Sequence, residues 1–121
     1  MGKSAQLNIA RESLPEAEVI RVSGELDISS SSALREELTE VARTDSNVVL
    51  DLSGLRFMDS TGLSVIIAAL KRLRERSFDL LLCAPQPPVR RIFEICGLDG
   101  IVTILPSEAA TLDHLRSPSP S

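Results

Sequence analysis

The run Val48-Val49-Leu50-Asp51-Leu52, then Phe57-Met58-Asp59-Ser60-Thr61-Gly62-Leu63, then Ile66, Ile67, Leu70 and Leu73, decides the architecture. The first five residues are largely β-branched or aliphatic and lack a polar alternation, as in a strand covered on both faces. From Leu63 onward the apolar residues recur three and four apart, which predicts an amphipathic helix beginning near Ser60. Lys71, Arg72, Arg74 and Arg76 gather at its end, where the helix dipole is negative. A covered strand ending at Leu52 and leading through a loop into a helix is the first half of a crossover between parallel strands.

The same alternation continues outward. Leu7 to Ala10 and Glu18 to Ser23 read as two strands that can pair as a hairpin, with Glu12-Ser13-Leu14-Pro15-Glu16 as the turn. Asp27 to Ser32 offers several helix caps ahead of Leu34, Leu38, Val41 and Ala42, which share one helical face. Phe78 to Cys83 reads as a buried strand. Pro88 opens a helix with Val89, Ile92, Phe93 and Cys96 on one stripe, and Gly97 closes it. Ile101 to Leu105 reads as a last strand and Glu108 to Leu115 as a short helix. Strands separated by helical connections require crossovers. The expected fold class is therefore α/β, a mixed, mainly parallel four- to five-stranded sheet with about four helices packed against it. One domain over residues 1–116 accounts for the pattern, and Ser117-Pro118-Ser119-Pro120-Ser121 reads as a disordered tail.

Composition removes several function classes. The 121 residues are 43% hydrophobic and 25% charged, enough for one buried core. A net charge of −4, with three Phe and neither Tyr nor Trp, argues against direct nucleic-acid binding. Cys83 and Cys96 each lie in an apolar run and read as small buried hydrophobes rather than a redox pair. With His114 they form no zinc pattern. Met1 to Gln6 matches neither a signal peptide, a myristoylation start nor a phosphate loop. No apolar run approaches the ~20 residues of a membrane span. The expectation is a cytoplasmic protein without membrane insertion.

Catalysis finds little support. The single histidine lies on the short C-terminal helix, Glu36-Glu37 reads as a solvated helix face, and no cofactor loop exists, so no catalytic residue, metal or cofactor is expected. The helix start near Ser60 carries more information, because it presents unpaired backbone N–H groups and a partial positive charge. In one reading Ser60 or Asp59 simply caps the helix, contributing about 1 kcal/mol. In the other, Ser60 accepts a phosphate whose dianion the helix end tolerates while the charge shown to a partner changes. Opposite the core stripe the helical period puts Thr61, Val65, Ala68 and Arg72, where small and apolar groups would let a partner helix approach. The competing reading packs Val65 under a neighbouring loop.

Gly24-Glu25-Leu26-Asp27 at the end of the second strand, with Phe57-Met58-Asp59-Ser60-Thr61-Gly62-Leu63 some thirty residues later, resembles the STAS domain, named for sulfate transporters and anti-sigma factor antagonists. Val48 to Leu52, Lys71-Arg72-Leu73 and Pro88-Val89-Arg90-Arg91-Ile92-Phe93 before Gly97-Leu98 stand in family order, so the likeness spans roughly residues 5 to 115. Within the family the chain is most similar to the small single-domain bacterial anti-anti-sigma factors. The resemblance implies binding to an anti-sigma factor that is also a serine kinase, with release of a sigma factor. It implies phosphorylation at Ser60, with Thr61 as a secondary acceptor, loss of binding on phosphorylation, and restoration by a serine phosphatase. It carries partner-binding roles onto Asp27 and Asp59, and the helix analysis adds Thr61, Gly62, Val65, Ala68 and Arg72. A monomer or weak dimer is expected. The alternative within the family is a non-catalytic subunit of a membrane lipid or anion transport system.

Overall fold

A computed structural model describes residues 6–116. In chain order the elements are β1 (Leu7–Ser13), β2 (Glu18–Leu26), α1 (Ser31–Val41), a 3-10 turn (Ala42–Thr44), β3 (Val48–Met58), α2 (Ser60–Glu75), β4 (Leu80–Cys83), α3 (Pro87–Ile95), β5 (Thr103–Leu105) and α4 (Glu108–Arg116). The strands lie side by side in the order β1-β2-β3-β4-β5. The β1–β2 pair is antiparallel and the other three pairings are parallel, which is the mixed, mainly parallel sheet expected from the sequence. The expected Ser/Pro tail and Met1 to Ala5 lie outside the described residues.

Each side of β3 meets a different layer. Val48, Leu50 and Leu52 join the large core with Leu34 and Leu38 of α1, Ile66, Leu70 and Leu73 of α2, and Val89 and Phe93 of α3. Val49 points the other way, into a smaller cluster with Ala17, Val19 and Cys83, against which Leu112 and Leu115 of α4 pack. Burial on both faces explains the unbroken apolar run at Val48 to Leu52.

Several expected boundaries move. β1 continues through Ser13, which pairs with Glu18 and whose hydroxyl donates to the Glu18 carboxylate at 2.8 Å, so the turn shrinks to the residues between Ser13 and Glu18. β3 continues to Met58 instead of ending at Leu52. Its pairing with β2 shifts register between Arg21 and Ser23 and again between Gly24 and Glu25. These bulges space the buried residues Leu52, Leu55 and Met58 three apart, which hides the strand from a search for period two. β4 starts at Leu80 and β5 at Thr103, leaving Ile101 53% exposed. Cys83 is buried as expected, but Cys96 is exposed. It sits at the C-cap of α3, beyond the last residue that the helix turns towards the core.

Candidate functional site

The parallel register sets the site. Leu26 pairs with Met58, so β2 and β3 end together and the loop opening α1 lies beside the corner opening α2. The Asp59 N–H donates to the Leu26 carbonyl at 3.1 Å, tying the two segments. Asp59 then takes extended backbone angles and its Oδ1 accepts the Gly62 N–H at 3.0 Å. Asp59 is therefore the cap of α2. Ser60 is the first helical residue and is exposed. Of the two groups that could cap the helix, the aspartate does so and the serine hydroxyl is left at the surface, over the positive end of the dipole.

Asp27 is committed to its own loop. Its Oδ1 accepts the Ser29 N–H at 3.0 Å, the Ser29 hydroxyl at 2.7 Å and the Ser30 N–H at 3.2 Å. The Ser29 hydroxyl is the main reason its carboxyl lies below the ordinary aspartate range. The group thus stays anionic near the Ser60 corner. Ser30, at the N-cap of α1, makes no side-chain capping bond and instead donates to the Glu25 carbonyl at 2.9 Å.

Gly62 is buried. A Cβ there would lie 2.5 Å from Cγ and 2.8 Å from Cδ2 of Leu26, and 3.1 Å from Cγ of Met58. The first turn of α2 rests directly on the two strand ends, which glycine alone permits. Gly62 serves this close approach and shows no side to a partner.

The outward face of α2 differs from the expected one. Val65 is only 5% exposed and belongs to the large core, because α2 packs against α1 as well as the sheet and so buries a wider arc than one stripe. This corrects the expected outward contact of Val65, which is buried within the large core. Thr61 is half-buried, while Ala68 and Arg72 are exposed. Ser64, whose hydroxyl donates to the Ser60 carbonyl at 2.9 Å, is exposed one turn beyond Ser60. Ser64 also lines a shallow groove of about 380 Å³ with Leu63, Ile67, Ala68, Lys71 and Leu98. Two large apolar side chains stand out at the strand ends, Ile28 at 77% and Phe57 at 49% exposure. The signal for Ile28 in the sequence is a lone apolar residue between Asp27 and Ser29.

The capping role gives a stability prediction. Asp59→Ala is expected to lower unfolding free energy by about 1 kcal/mol, while Asp59→Asn, which keeps an acceptor oxygen, should cost less than half as much. Urea unfolding of the two variants and the parent checks the order.

Among the described residues no group of three or more His, Cys, Asp or Glu side chains is placed to hold a metal ion. No helix among the described residues is long and apolar enough to cross a membrane.

Comparison with known proteins agrees with this geometry. The sequence profile described as the STAS domain matches residues 8–111. The anti-sigma F factor antagonist of Paenibacillus polymyxa is 35% identical over 100 residues, covering 81% of this chain and 86% of that protein. The crystal structure of an anti-sigma factor antagonist from Mycobacterium paratuberculosis superposes with a TM-score of 0.86 at 25% identity, covering 97% of this chain and all of the other. The phosphorylated form of the Bacillus cell fate determinant SpoIIAA superposes with a TM-score of 0.73 at 25% identity, over 90% of this chain and 100% of the neighbour.

Proposed function

The chain belongs to the STAS domain family, and from that premise we propose that it is an anti-sigma factor antagonist switched by phosphorylation of Ser60. In its unmodified form it binds an anti-sigma factor, so that a sigma factor is released. The anti-sigma factor is also a serine kinase. Transfer of a phosphoryl group to the Ser60 hydroxyl ends binding, and a serine phosphatase resets the chain. The protein acts as a regulator, with its work done by surface charge and with no catalytic residue of its own. Its place is the cytoplasm, with the sigma factor it controls.

One observation carries the reading. Ser60 is exposed at the first position of a helix whose cap is already supplied by Asp59. The hydroxyl is free for chemistry because the fold does not use it as the cap. The docking surface spreads from it over Asp27, Ile28 and Phe57 at the strand ends and along Ser64 and Ala68 of α2. Ile28 and Phe57 supply apolar anchors, which dominate binding energy when a partner excludes water from them.

Incubation with the cognate anti-sigma factor and ATP, followed by mass spectrometry of the peptides, tests the site. One phosphate is expected on Ser60, with any second label on Thr61. Exclusive labelling elsewhere, or none, would reject the assignment.

A further inference from the structure

The outer side of α2 carries two stripes that run away from Ser60. Ser64, Ala68 and Arg72 follow one another one turn apart, and Leu63, Ile67 and Lys71 lie beside them. Leu98, in the turn after α3, forms the opposite wall of the groove of about 380 Å³. Ile67 and Leu98 are partly buried, so each gives the large core one side and the groove another.

No carboxylate lines this groove, and the charges at its far end are positive. Arg74 pairs with Asp79 at 3.1 Å and Arg76 pairs with Asp45. Among the described residues Lys71 and Arg72 form no ion pair, although the chain has 17 acidic side chains against 13 basic ones. The helix dipole accounts for Arg72, which lies in the last turn of α2. Its effect fades within that turn, and Lys71 stands before it.

On the premise that the chain is an anti-sigma factor antagonist, we infer that this groove receives an acidic amphipathic helix of the anti-sigma factor. The apolar edge of that helix lies between Ile67 and Leu98, and its carboxylates face Lys71 and Arg72.

Shape and charge select this occupant. A small molecule is held by enclosing most of its surface, which a shallow groove does not do. A helix needs only a strip. Leu63 to Lys71 spans about 12 Å of helix axis, enough to meet anchors at i, i+3, i+4 and i+7 of a facing helix. Ser64 and Ala68 are small and let the two axes come to the close end of the usual ~8–10 Å. The cations are not a dock for a phosphate on Ser60. Lys71 lies about 16 Å along the axis from Ser60, roughly two Debye lengths at physiological salt, so the two charges are screened from each other. An acidic helix is also the occupant that a new dianion at Ser60 repels, which couples the groove to the switch.

Titration of the cognate anti-sigma factor into the intact chain, at about 50 and about 300 mM salt, tests this. The affinity of the parent should fall as salt rises. Ala68→Gln keeps the net charge and a good helix former while filling the groove floor, and should weaken binding about tenfold at both salt concentrations. Lys71→Glu combined with Arg72→Glu should weaken binding about tenfold at the lower salt and remove most of the salt dependence. Both sites are exposed, so thermal unfolding should show every variant folded. Ser60→Asp in the same series tests the underlying antagonist function. Loss of binding in Ser60→Asp, with parental affinity in either groove variant, would overturn the docked helix and leave the Ser60 switch standing. Parental binding in Ser60→Asp, or no binding by the parent, would overturn both. Sedimentation of the chain alone covers the competing occupant, since a dimer that Ala68→Gln dissociates would make the groove a contact between two copies and overturn the docked helix.

Discussion

Ser60→Asp is expected to weaken binding to the anti-sigma factor by more than a hundredfold while leaving the melting temperature nearly unchanged. Ser60 is exposed at the first position of α2, so a carboxylate there meets no packed neighbour. The N–H groups of the first turn and the helix dipole favour the new charge, which offsets repulsion from the capping Asp59. The folded chain alone thus registers little. A docked partner removes the water that solvates that charge, next to the existing anions Asp27 and Asp59. Loss of ~3 kcal/mol at the interface is enough for a factor of more than a hundred in affinity. Phosphoserine, with a charge of about −2, should act more strongly than aspartate. Ser60→Ala should bind as tightly as the unmodified parent and stay bound when ATP is added. Calorimetric titration of both variants, alongside thermal unfolding, separates an effect on the interface from one on the fold.

The second large effect is expected at Gly24. Its φ is +101°, in a region side chains rarely adopt, and a Cβ would stand 2.0 Å from the Gln6 carbonyl oxygen. That oxygen accepts the Glu25 N–H at 2.8 Å, so a shift to relieve the clash breaks the link between β2 and the segment leading into β1. Gly24→Ala combines backbone strain with a clash against main chain, and a loss of about 3 kcal/mol is expected. That corresponds to a fall of roughly 10 °C in melting temperature for a domain of this size. The damage should reach the site, because Leu26, two residues on, holds the Asp59 N–H. Gly97 is the control. Its φ is +70° but a Cβ there meets nothing within 4 Å, so Gly97→Ala should cost only ~1 kcal/mol. Equal losses at the two glycines would show that the clash at Gly24 is not felt.

What could be read from the sequence was mostly local. Leu63, Ile66, Leu70 and Leu73 carry the period of α2, and the Asp-Ser-Thr-Gly run marks its start, so strand, corner and helix were legible without tertiary information. The choice of cap was not, because Asp59 and Ser60 are chemically able to fill the same role and only the backbone angles distinguish them. The length of β3 was hidden by bulges that belong to its pairing with β2. Val65 was misplaced because the second buried side of α2 comes from α1, a contact that no period within α2 encodes. Cys96 follows the stripe of α3 by count, but the helix ends one residue before it. Asp27 entered through family resemblance, and its serine partners became visible only in the folded loop. The Arg21 to Glu108 ion pair joins β2 to α4, and nothing in either element announces it.

The charge state of the exposed Ser60 sets the affinity for the anti-sigma factor, and one comparison tests this most directly. The chain is prepared with phosphoserine at residue 60 and in unmodified form, and each is titrated against the same anti-sigma factor. The unmodified chain should bind at least a hundredfold more tightly, with both forms folded to the same degree. Equal affinity of the two would contradict the account.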